Sequence, residues 1–148
     1  MPHVLLVMPE STMLCDSSLV QADWHCQAGK AFVEQQCKEA LVTTATSPCQ
    51  ALMLIKEGLF PTLVACGLFP DCTEEGVPGC IALLRKCAQL EPPAQFILWS
   101  CVNDLDVRYA PLAKQVELTG VRIARGWGYL QLMMSQCLTA SLREHAKA

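Results

Sequence analysis

Ten cysteines and three histidines are the side chains with the widest chemical reach in this 148-residue sequence. A thiol can serve as a metal ligand, a nucleophile or a disulfide partner, and spacing decides among these uses. Cys15, Cys26, Cys37, Cys49, Cys66, Cys72, Cys80, Cys87, Cys101 and Cys137 stand singly, with no C-x-x-C pair. Zinc-knuckle and thioredoxin-type spacings are therefore absent. Ten in 148 is about 7%, below the content of a short secreted disulfide scaffold. Most of these cysteines lie in apolar runs, where cysteine acts as a small hydrophobe. His3, His25 and His145 are far apart; His25-Cys26 pairs two ligand types, but a zinc site combines several ligands at recognisable spacing. Neither a metal site nor a cofactor is expected.

The composition narrows the setting in which those thiols act. Apolar residues make up 52% and charged residues 17%, which excludes an intrinsically disordered chain. A net charge of −3 supplies no global basic field for nucleic acid or an anionic membrane surface. The opening Met-Pro-His-Val-Leu-Leu-Val-Met-Pro-Glu has no Lys or Arg ahead of its apolar run, and the run is too short for a signal peptide. No window reaches the ~18 consecutive apolar residues of a membrane span. A reducing, cytoplasmic setting with free thiols is the expectation. With no linker, repeat or low-complexity tract, residues 1–148 read as one domain.

Short apolar runs alternate with longer amphipathic stretches. Runs at His3 to Met8, Ala40 to Ala45, Pro61 to Gly67, Ala94 to Ser100 and, more weakly, Gly120 to Arg125 predict five strands. Their continuous apolar character suits parallel strands covered on both faces. Ser47-Pro48 predicts a helix start and Gly58 its stop, with Ala51, Leu52, Leu54 and Ile55 on the apolar face. Cys80 to Leu90 carries Ile81, Leu84 and Cys87 at helical spacing and ends before Pro92-Pro93. Asp104 to Leu118 is more polar and contains Pro111, predicting a short helix after an irregular start. The last segment places Leu130, Met133, Met134, Cys137, Leu138 and Leu142 on one stripe. Between Ser11 and Glu39, Asp23-Trp24-His25 and Gly29 interrupt the pattern, so several separate helical pieces are expected there. Strand and helix alternate throughout, implying an α/β domain with right-handed crossovers and three layers.

In such a sheet chemistry gathers at the carboxyl ends of the strands, near the topological switch point. Those ends read Met8-Pro9-Glu10, then Cys66-Gly67-Leu68-Phe69-Pro70-Asp71, then Ser100-Cys101, then Arg125-Gly126-Trp127-Gly128. The pattern, over about residues 3–142, resembles the receiver domain of bacterial two-component response regulators. Its strongest part is Ser47 to Gly76, where SPCQALMLIKEG and PTLVACGLFPD resemble the family's second helix, third strand and proline-containing loop. FILWSC resembles the fourth strand with its terminal Ser/Thr followed by a small residue. The resemblance implies a flavodoxin-like (βα)5 fold, a three-layer sandwich on a five-stranded parallel sheet in the order 2-1-3-4-5.

The resemblance also assigns positions. The acidic pair that holds the divalent metal in receivers corresponds to Met8 and Pro9, with Glu10 as the one acidic residue retained. The phosphoacceptor aspartate, four residues before the loop proline, corresponds to Cys66, and the Ser/Thr to Ser100. The lysine after the fifth strand corresponds to Trp127, or to Arg125 after a small shift. A hard Mg²⁺ ion takes oxygen ligands, which a thioether beside a proline does not supply, and an aspartyl phosphate needs a carboxylate nucleophile. Asp71 is the nearest spare carboxylate, but it belongs to the following loop. The sequence therefore reads as a pseudo-receiver that keeps the fold without the phosphorylation apparatus.

Two alternatives come with it. Cys66 and Cys101, at two strand ends, are candidate reactive thiols for a redox switch, with Arg125 as the nearest source of positive charge. A small-ligand or flavin-binding flavodoxin-like domain is the other, although no Gly/Ser/Thr-rich loop follows Val7 to cradle a phosphate. Trp24, Trp99 and Trp127 read as packing residues, with Trp127 placed to close the emptied pocket. A chain of this length leaves no space for a DNA-binding effector domain, so the expected output is a protein partner, such as a sensor-kinase-like signalling protein, or self-association. The face made in receivers by the fourth helix, fifth strand and fifth helix is the candidate interface. Tyr129, Met133 and Met134 are its candidate members here.

Overall fold

In a computed structural model, the described residues are 2–7, 24–36, 38–67, 76–100, 114–115, 118–125 and 127–147. Strands β1 (His3–Val7), β2 (Leu41–Ala45), β3 (Leu63–Gly67), β4 (Gln95–Ser100) and β5 (Arg122–Arg125) fall inside the five apolar runs. Helices α1 (Trp24–Gln36), α2 (Pro48–Lys56), α3 (Gly79–Gln89) and α4 (Trp127–Lys147) lie between and after them. The strands form one parallel sheet in the order β2-β1-β3-β4-β5. The flavodoxin-like order implied by the resemblance to receivers is thus the order observed. The short helix predicted over Asp104 to Leu118 lies almost entirely outside the described residues; Lys114 and Gln115 are helical.

Period-two alternation along the central strands divides the core in two. Leu5, Val7, Val64, Cys66 and Leu98 face one side and pack against Ala51 and Ile55 of α2 and Cys80, Ile81, Leu83 and Cys87 of α3. Val4, Leu6, Leu63, Ala65, Ile97, Trp99 and Ala124 face the other, against Val33 of α1 and Leu130, Met134, Cys137 and Leu138 of α4. Strands buried on both faces need apolar residues at every position, which is why β1 and β3 carry no polar alternation. β2 is an edge strand and shows it: Leu41 and Thr44 are exposed.

Local signals account for the helix ends. Ser47 is extended (φ −155°, ψ 156°), and its Oγ accepts from the Gln50 backbone N–H at 3.1 Å. Gln50 Oε1 reaches back to accept from the Thr46 N–H at 2.8 Å and from Thr46 Oγ1 at 3.1 Å, a variant of the capping box. At the other end Gly58 has φ +115°, a conformation that side chains with a Cβ rarely adopt, while its N–H and that of Leu59 satisfy the Ile55 and Leu54 carbonyls. Ser47→Ala is expected to cost about 1 kcal/mol, read as a lowered urea midpoint; an unchanged midpoint would show that the cap carries no stability.

One expectation is corrected. Gly29 does not divide the segment before Glu39, because α1 runs without a break from Trp24 to Gln36. A helical glycine costs about 1 kcal/mol, and packing offsets it: Val33 is buried, and α1 lies against β1, β2 and α4. Ser135 Oγ of α4 donates to Gln36 Oε1 at 3.1 Å, tying the two helices at the end of α1. Residues 11–23, where any further piece of that segment would stand, are outside the described residues.

Candidate functional site

β1 lies between β2 and β3; it leads on to α1 on one face of the sheet and β3 leads on to α3 on the other, so the switch point falls between β1 and β3. At the carboxyl end of that pair, Val7 is the register partner of Cys66. Cys66 is also paired with Leu98, and Gly67 with Trp99. Ser100 and Arg125 close β4 and β5 as partners of each other. Of the strand ends read from the sequence, the described ones, Cys66, Ser100 and Arg125, therefore lie on successive neighbouring strands. Trp127 is not a strand end; it opens α4, two residues beyond Arg125. Met8, Pro9, Glu10, Asp71 and Cys101 lie outside the described residues, as do the side-chain positions of Ser100, Arg125 and Trp127.

Cys66 is wholly buried, and so are Val7 and Leu98 on its flanks. Its thiol donates to the carbonyl of Gly67 at 3.2 Å. Burial pushes the Cys66 thiol well up from its ordinary range, and Cys80 and Cys87 on α3 push it further in the same direction. Cys87, inside the same cluster, is raised to about 12, also by burial. The nucleophile and the metal ligand are the thiolate, so a thiol that keeps its proton in an apolar surround is chemically quiet. Among the described residues no three His, Cys, Asp or Glu side chains are grouped to hold a metal ion. Cys49, Cys66, Cys80, Cys87 and Cys137 are thiols outside any disulfide.

The arrangement predicts selective labelling. Cys49, exposed in the first turn of α2, is expected to react readily with an aromatic disulfide reagent, while Cys66, Cys80 and Cys87 react only as fast as the protein opens. Peptide mapping after a brief native exposure checks this, and prompt modification of Cys66 would overturn it. The sequence singled out Cys66 but not its companions. Cys80 and Cys87 stand seven residues apart on the buried face of α3, a spacing that was legible, although nothing in the sequence says that this face meets β3 at Cys66.

The candidate interface divides along α4. Met134 is fully buried against the sheet, with Leu130, Cys137 and Leu138 beside it, and so leaves the set of surface candidates. Met133 is half-buried at the edge of the same cluster. Tyr129 is 62% exposed and Leu132, which the sequence reading did not single out, is 54% exposed. Three residues apart, they share one outward face of the helix. Arg122 on the edge strand β5 is exposed as well.

Comparison with known proteins places this geometry. No family model and no curated protein matches the chain. Among solved structures, a response regulator receiver domain protein from Clostridium thermocellum superposes with a TM-score of 0.59 at 20% identity, over 100% of both chains. An adenylate cyclase from Rhodopirellula baltica superposes with a TM-score of 0.55 at 15% identity, over 98% of this chain and 96% of that one. Identities this low speak for the fold alone. With its strand order, its four described helices and its switch point between β1 and β3, the chain is receiver-like in fold.

Proposed function

We propose that this chain is a pseudo-receiver, a regulatory module of signalling that acts through protein–protein contact without aspartyl phosphorylation and without catalysis. The observation that carries the reading is Cys66: on a receiver-like fold, the residue that the sequence resemblance matches to the phosphoacceptor is a wholly buried thiol paired with Val7 and Leu98. Phosphoryl transfer to a receiver requires a carboxylate nucleophile and a hard metal ion neutralising the transferred charge. The matching residues here are a thiol at Cys66, a thioether at Met8, a hydrocarbon ring at Pro9 and a carboxylate only at Glu10. That set does not fit Mg²⁺, which takes oxygen ligands in octahedral geometry.

Output then rests on surfaces. The outward face at the start of α4, with Tyr129 and Leu132 exposed and Met133 half-buried, supports a protein partner or a second copy of the chain, because exposed aromatic and apolar side chains suit an interface. The whole of 1–148 would act as one unit in the cytoplasm; among the described residues, no helix is long and apolar enough to cross a membrane. The thiol-switch alternative is weakened at Cys66 by burial and by the raised thiol. A cyclase activity has only a fold likeness behind it.

The test is direct. Incubation with acetyl phosphate and Mg²⁺ is expected to leave the intact mass unchanged, and beryllofluoride with Mg²⁺ is expected to leave the tryptophan fluorescence unchanged. A stoichiometric phosphoryl adduct would overturn the proposal.

A further inference from the structure

We draw no further inference here: the strongest candidate, the exposed apolar patch at the amino-terminal rim of the sheet, where Leu41 opens β2, Phe60 precedes β3 and Leu118 precedes β5, carries nothing because nothing in the structure shows what covers it.

Discussion

Cys66→Asp is expected to destabilise the protein by about 3 kcal/mol without restoring phosphorylation. The resemblance to receivers matches this position to the phosphoacceptor aspartate, so on the proposed reading the substitution resembles a repair. The surroundings decide otherwise. Cys66 has no exposed surface and sits among Val7, Val64 and Leu98 of the sheet and Cys80, Ile81 and Cys87 of α3. A carboxylate there either keeps its charge in an apolar site or takes up a proton and loses its function as a nucleophile. Cys66→Ala is the control, expected to cost roughly 1–2 kcal/mol through a small cavity alone. Urea denaturation of both variants gives the stabilities, and intact mass after acetyl phosphate treatment gives the chemistry. A Cys66→Asp protein as stable as the parent that takes up one phosphoryl group would show that the site is a working receiver lacking one residue.

On α4, neighbouring residues are expected to behave in opposite ways. Met134→Ala removes a fully buried side chain between the sheet and the helix and is expected to cost about 2–5 kcal/mol, because the lost burial and the remaining cavity add. Tyr129→Ala and Leu132→Ala, on the outward face, are expected to shift stability by no more than about 0.5 kcal/mol. If the proposed interface is used, the two surface changes together weaken binding of the partner or dissociate a self-associated form, with the monomer still folded. Denaturation curves read the first effect, and sedimentation over a range of concentrations reads the second. Loss of stability from Tyr129→Ala comparable with that from Met134→Ala would contradict the division of the helix into inward and outward faces.

Element boundaries were legible because they depend on local chemistry. The five apolar runs became five strands, each trimmed by one or two residues where the ladder ends. Ser47, Pro48 and Gly58 mark α2 by means that need no tertiary partner: a hydroxyl to accept, a ring that sets φ, and a residue free to take positive φ. Gly29 failed as a helix breaker for the complementary reason. Its local cost is small, and it is outweighed by the packing of Val33 and by the contact of α1 with the sheet and α4, which the sequence around Gly29 does not display.

At the candidate site the chemical groups at the strand ends are readable from the residues alone: a thiol at Cys66, which the resemblance matches to a receiver's carboxylate, and Ser100 and Arg125 closing the last two strands. What these groups can do depends on the fold around them. Reactivity depends on solvent and on charges brought together from distant parts of the chain. The structure encloses Cys66 between Val7 and Leu98 and sets the Cys80 and Cys87 thiols of α3 near it, so that the proton stays on sulphur. The same holds on α4. Helical spacing put Tyr129, Met133 and Met134 on one segment, but which of them meets the sheet depends on the rotation of the helix about its axis. That rotation is settled by packing against Leu6, Ile97 and Trp99, which turns Met134 inward and leaves Tyr129 to the solvent.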